Sequence, residues 1–151
     1  HRAEQVLADR DIPTTSRLDP FANTAPELVE ERADVIVSFY TFEHLFPLHP
    51  YLEAMAQALK PGGLLVGAIP CEGGLAWGLG RLLTTRRHAI HRLGIDYDQV
   101  ICWEHPNFAD SIMADLDHFL IREQERYWPL VIPVIDINLV LSFIYRKSAS
   151  P

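Results

Sequence analysis

Two pairs of adjacent glutamate and histidine residues are the part of this 151-residue sequence best suited to chemistry. Glu43 precedes His44, and Glu104 precedes His105. A neutral imidazole can accept a proton from a reacting group. The same residue types can ligate a metal ion, and His44 can instead have a structural role, capping a helix or pairing with Glu43. A metal hydrolase built on the two pairs is the least favoured interpretation, because the sequence has no His-Glu-x-x-His spacing.

A run of basic side chains between residues 81 and 92 is the second candidate. The guanidinium groups of Arg81, Arg86 and Arg87 match the geometry of phosphate and carboxylate oxygens. Trp77 lies close by in sequence and can stack on the same ligand. The alternative is a solvated helix face, which is the more common role of a charge run.

The composition excludes several classes of protein. The formal net charge of −7 argues against a general nucleic-acid binder, which needs a basic face. The most apolar stretch, residues 130–145, is interrupted by Pro133, Asp136 and Asn138 and is too short to span a membrane. Cys71 and Cys102 form no CxxC pair. With no secretory leader apparent, these features predict a cytoplasmic protein with free thiols, whose oligomeric state the sequence does not indicate.

The elements that position these residues alternate between strand and helix, which predicts an α/β fold with a mostly parallel sheet. Residues 13–18 are a possible short strand, and the continuous apolar runs at 34–39 and 64–69 are typical of buried parallel strands. Residues 50–59 between them have helical apolar spacing, followed by a Lys-Pro-Gly-Gly stop. The expected strand–helix–strand unit is right-handed.

The second half of the chain is predicted to contain a helical insertion and a closing hairpin. Residues 73–93 have one apolar stripe, which predicts an inserted helix. Asn107 is a candidate N-cap for a helix over 108–117. Residues 119–128 and 135–145 alternate as strands do, and their short connection predicts antiparallel pairing.

Residues 33–45, Ala-Asp-Val-Ile-Val-Ser-Phe-Tyr-Thr-Phe-Glu-His-Leu, resemble the fourth strand and following loop of class I S-adenosylmethionine-dependent methyltransferases. Residues 58–63, Ala-Leu-Lys-Pro-Gly-Gly, resemble the family's turn into strand five, and 64–70 match that strand. The ordered combination carries the resemblance, since Lys-Pro-Gly-Gly alone is common. Residues 103–107 resemble a subset of bacterial methyltransferases linked to glycan or small-molecule modification.

This resemblance implies a partial Rossmann-like class I methyltransferase fold, with parallel strands and a C-terminal antiparallel β-hairpin. Residues 1–151 are expected to form a single, N-terminally incomplete domain with a helical insertion at about 73–98. The family's Gly-x-Gly-x-Gly loop and the acid that ends strand two would precede His1. We therefore expect the chain on its own to bind S-adenosylmethionine weakly and to be inactive.

The implied function is methyl transfer from S-adenosylmethionine to a small-molecule or glycan-type acceptor, and the alternative is a degenerate, non-catalytic binding module. Ligands of such sheets bind at the carboxyl ends of the strands. The resemblance assigns the cofactor to Asp19, which would accept a hydrogen bond from the adenine, and to Ser38, Phe39 and Tyr40. The remaining expected site residues are Glu43 and His44 for catalysis, and Trp77, Arg81, Arg86, Arg87 and His105 for the acceptor.

A metal site is not expected. One subset of the family binds a divalent metal through a Glu-x-x-Glu-His pattern. Here Tyr40 stands at the first position of that pattern, so a ligand is missing.

Overall fold

The computed structural model describes residues 33–94, 101 and 105–149, except for the side chains of Arg87 and Leu93. These residues form four strands and several helices. In chain order they are β1 (Ala33–Phe39), a 3₁₀ turn (Phe42–His44), α1 (His49–Ala58), β2 (Leu59–Pro70), α2 (Leu75–Leu83), α3 (Thr85–His88), a π-helical turn (Ala89–Leu93), α4 (Ala109–Phe119), β3 (Ile121–Trp128), a 3₁₀ turn (Ile135–Ile137) and β4 (Val140–Arg146).

The four described strands form one mixed sheet in the order β1-β2-β4-β3. β1 and β2 are parallel and are joined through α1, while β4 pairs antiparallel with both β2 and β3. The predicted α/β fold of parallel strands closed by an antiparallel hairpin is therefore confirmed. The strand predicted at 13–18 lies outside the described residues.

Strand β4 is shorter than the sequence alternation predicted. It begins at Val140, and Ile135–Ile137 forms a 3₁₀ turn instead of strand. Asn138 explains the difference, because its buried side chain accepts a hydrogen bond from the Leu130 N–H and donates to the carbonyls of two loop residues, Ile132 and Val134. These bonds hold the 130–138 segment as a closed loop, so its apolar alternation does not mark a strand.

The segment predicted as one inserted helix is helical, but it is not one helix. It breaks at Thr84, whose φ of −115° and ψ of −89° are not helical, and continues as α3 and the π-helical turn. The Thr84 hydroxyl donates to the Gly80 carbonyl at 2.6 Å. Hydroxyl groups compete in this way with the helical backbone, which sequence periodicity does not reveal.

The core lies between one face of the sheet and the helices α1 and α4. Leu141, Phe143 and Tyr145 of β4 point into it, as the alternation predicted. Gly67 allows the close packing of β2, because a Cβ there would lie 2.6 Å from both the Phe143 ring and the Ser38 carbonyl oxygen. The other large, fully buried apolar side chains are Phe42, Leu52, Leu59, Leu65, Ile69, Ile112 and Leu116.

Within the described ranges, none of the helices combines the length and apolar character needed to cross a lipid bilayer.

Candidate functional site

The candidate site lies at the edge of the sheet where β1 and β2 both end. The two strands are parallel, and Phe39 is in register with Ala68 two residues before the end of β2. Tyr40 then turns the chain out of the sheet with a φ of +50°, which is uncommon for a residue with a side chain. Its N–H still donates to the Ala68 carbonyl at 2.9 Å. The loops after β1 and β2 therefore start side by side.

Glu72, in the loop after β2, is the centre of the site. Its side chain is 2% exposed, and Oε1 accepts hydrogen bonds from Trp77 Nε1 at 2.8 Å and from Arg81 Nη1 at 3.0 Å. Its Oε2 bonds with Nδ1 of His105. Three residues predicted to bind the acceptor thus converge on one buried carboxylate that the sequence analysis did not identify. Glu72 could have been found from the sequence as an acidic residue that comes just after a buried strand.

The two histidines predicted from sequence are in contact. The rings of His44 and His105 are perpendicular, with centroids 4.4 Å apart. Nε2 of His44 lies 3.9 Å from Oε1 of Glu43, which is an electrostatic contact and too long for a hydrogen bond. The structure therefore brings together Glu43, His44 and His105, while Glu104 lies outside the described residues.

Glu43 is buried beneath this cluster. Its Oε2 has no hydrogen-bond partner among the described residues. Burial raises the pKa of the Glu43 carboxyl, and its own backbone N–H and the two neighbouring histidines act in the opposite direction. Across the described part of the chain, no group of three or more His, Cys, Asp or Glu side chains has an arrangement that could hold a metal ion.

Asn107 fixes the loop that carries Glu43 and His44. Its Nδ2 donates to the carbonyl oxygens of Phe42 at 2.8 Å and of Leu45 at 2.6 Å. The prediction that Asn107 caps the following helix is wrong, because Phe108 occupies the N-cap of α4 without a side-chain hydrogen bond. The amide instead crosses from the segment before α4 to the loop after β1.

The end of β1 offers a surface that fits the expected cofactor. Phe39 is 55% exposed and Tyr40 is 50% exposed, so neither ring is part of the described core. Exposed aromatic faces at a strand end suit a planar adenine and an aliphatic chain. Ser38 is buried at the same end. Asp19 lies outside the described residues.

The remaining predicted residues belong to the insertion. Arg86 is in α3 and is half-buried, and the Arg87 side chain is outside the described part of the chain. On the same insertion, Thr84, His88, His91 and Arg92 line an open cavity of about 400 Å³. Basic side chains of this segment therefore line a concave surface.

Comparisons with known proteins found a family model and solved structures that are similar to this chain. A family model described as a methyltransferase domain matches residues 1–65. The solved N-methyltransferase NodS from Bradyrhizobium japonicum, in complex with S-adenosylhomocysteine, is 19% identical, with 78% of this chain and 47% of that chain covered and a TM-score of 0.48. An S-adenosylmethionine-dependent methyltransferase from Mesorhizobium loti is 15% identical, with 78% and 62% covered and a TM-score of 0.51. The CurJ carbon methyltransferase is 18% identical, with 97% and 38% covered and a TM-score of 0.58. No curated protein sequence matches.

The described residues have the fold of class I S-adenosylmethionine-dependent methyltransferases. The fold that the resemblance of residues 33–45 and 58–63 implied is confirmed, and the first 65 residues match the sequence model of a methyltransferase domain. The chain spans between 38% and 62% of the length of the three solved proteins above.

Proposed function

We propose that this protein transfers a methyl group from S-adenosylmethionine to a small-molecule or glycan-type acceptor. The observation that carries the proposal is the meeting of His44 and His105 at the carboxyl edge of two parallel strands, with ring centroids 4.4 Å apart. Sheets of this class bind their ligands at that edge. A pair of imidazoles there can accept a proton from the acceptor as it is methylated.

Phe39 and Tyr40 are the described residues best placed to hold the cofactor. Their half-exposed rings at the end of β1 provide apolar faces, and Asp19 is proposed to bind the adenine amino group, with Ser38 behind them. When bound, S-adenosylmethionine supplies an electrophilic methyl group on a sulfonium centre. The side chains of this chain then have to align the acceptor and remove its proton.

His44 is proposed as the general base. Its side chain is about half exposed, so a proton from an acceptor hydroxyl or amine can reach it. Glu43 is proposed to orient the imidazole, since its Oε1 lies 3.9 Å from Nε2 of His44.

The acceptor is proposed to bind between the strand ends and the insertion at about 73–98, which would act as a lid. Trp77, Arg81 and His105 are held at the mouth of the site by Glu72. Arg86 and Arg87 are proposed to attract an anionic group of the acceptor. A cytoplasmic location, expected from the sequence, stays a prediction.

The test uses the full-length protein. Calorimetry with S-adenosylhomocysteine measures cofactor binding, and release of S-adenosylhomocysteine in the presence of small alcohols, phenols, amines and sugars measures methyl transfer. His44→Gln should lower the transfer rate by about a hundredfold. His118→Gln is the matched control, because His118 is an exposed histidine on α4. A folded protein that neither binds S-adenosylhomocysteine nor releases it would instead be the non-catalytic binding module.

A further inference from the structure

Glu72 and His105 come from distant parts of the sequence, yet the buried Glu72 carboxylate bonds to the part-buried His105 ring at the strand ends. The Glu72 carboxylate carries three bonds, and two of the donors, the Trp77 indole N–H and the Arg81 guanidinium, can only donate. A carboxylate accepts from all of its partners, which puts the hydrogen between Oε2 and His105 on Nδ1 of the imidazole.

This bond leaves the other nitrogen of His105 available. A neutral imidazole with its hydrogen on Nδ1 has a bare lone pair on Nε2. Nε2 makes no hydrogen bond to any residue in the described ranges, and the His105 side chain is 17% exposed. Its ring lies against His44, the proposed base. Nδ1 of His105 is thus bonded to Glu72, while Nε2 is available to a ligand.

We propose that Glu72 is a positioning residue that presents Nε2 of His105 as a hydrogen-bond acceptor for an O–H or N–H group of the methyl acceptor. The proposal rests on the proposed function and narrows it, since an acceptor bound in this way reacts at oxygen or nitrogen. In the bound state the acceptor's O–H or N–H group donates to His105 Nε2. As the methyl carbon leaves the sulfonium sulfur and bonds to the acceptor oxygen or nitrogen, the acceptor's proton passes along this hydrogen bond to the imidazole pair of His105 and His44, and S-adenosylhomocysteine is the leaving group. Glu72 touches neither the acceptor nor the reacting atoms.

The first test is independent of catalysis. Long-range ¹H–¹⁵N correlation spectra of the full-length protein at pH 8 report which imidazole nitrogen carries the hydrogen, and the signals of His105 are assigned by their loss in His105→Gln. We expect the Nδ1–H tautomer in the wild-type protein. Glu72→Gln should shift the population toward Nε2–H, and Glu72→Asp should partly restore Nδ1–H. A wild-type Nε2–H tautomer overturns the proposal even if Glu72→Gln does not fold.

Arg81→Met tests whether Glu72 acts on the His105 tautomer through their direct bond or only through the structure around it. It removes the ion pair that holds α2 to Glu72 but leaves the bond to His105 in place. The tautomer should therefore stay on Nδ1. If Arg81→Met changes the tautomer as much as Glu72→Gln does, the effect of Glu72 is structural and the proposal is wrong.

The second test measures release of S-adenosylhomocysteine by the full-length protein with small alcohols and amines. Glu72→Gln should lower the rate by about a hundredfold, whereas the same change at the exposed Glu53 of α1 should leave it unchanged. Transfer to carbon acceptors alone would refute the assignment of the acceptor class. Failure of S-adenosylhomocysteine to bind, with the Nδ1–H tautomer intact, would instead refute the proposed function.

Discussion

Asn107→Ala should destabilise the protein through the loop that carries the proposed base. The Asn107 amide makes two part-buried hydrogen bonds, to the carbonyls of Phe42 and Leu45. A typical hydrogen bond contributes about 0.5–1.5 kcal/mol, so losing both should lower the free energy of unfolding by about 1–3 kcal/mol. The Leu45 carbonyl would then have no donor among the described residues, whereas the Phe42 carbonyl keeps the Leu45 N–H at 3.4 Å. Urea unfolding of the full-length protein followed by circular dichroism measures the change.

Gln57→Ala is the matched control for this substitution. The Gln57 amide makes one exposed hydrogen bond of 3.4 Å to Glu53 on α1, so its loss should change the stability by less than about 0.5 kcal/mol. Asn107→Asp keeps the size of the side chain but directs an oxygen at two carbonyl oxygens, and it should cost at least as much as Asn107→Ala. Equal unfolding midpoints for Asn107→Ala and wild type would refute the role given to Asn107.

Two further predictions concern buried titratable groups. Burial raises the pKa of the Glu43 carboxyl, so Glu43→Gln should raise Tm at pH 8. The advantage should shrink as the pH falls, because the wild-type folded state then takes up the proton more readily than the unfolded state; a difference in Tm that is constant with pH would contradict this. Burial also raises the pKa of the Cys71 thiol to about 11, so peptide-resolved mass spectrometry should show iodoacetamide labelling of Cys71 at pH 8 only after denaturation. Rapid labelling of the folded protein would show that the thiol is accessible.

The strands and the helix around the strand ends were predictable because local pattern and tertiary environment agree there. The runs at 34–39 and 64–69 became β1 and β2, since both strands pair along their length within the sheet. The failures occur where side chains bond to the backbone. Asn138 closes the loop before β4, and Thr84 interrupts the insertion. Apolar spacing carries no information about such bonds.

Several residues of the candidate site were predicted from the sequence, but Glu72, to which three of them bond, was not. Glu43, His44 and His105 were chosen by residue type, and the fold brings them together. Glu72 was missed because its importance depends on partners that only the fold supplies. His105 is 33 residues away, and Trp77 and Arg81 reach Glu72 only because α2 turns back over the strand end. The roles of these residues in methyl transfer stay predictions.

The short segment before α4 connects the two strand-end loops to each other. His105 bonds to Glu72 in the loop after β2, and two residues later Asn107 bonds to the loop after β1. Hydrogen bonds to both loops therefore fix the position of His105 relative to His44, as the proposed proton transfer from an acceptor would require. If Asn107 only capped α4, the loop after β1 would have no hydrogen bond from its side chain. The failure of the cap prediction at Asn107 thus has a physical reason, since the amide holds the geometry of the site instead of the end of a helix.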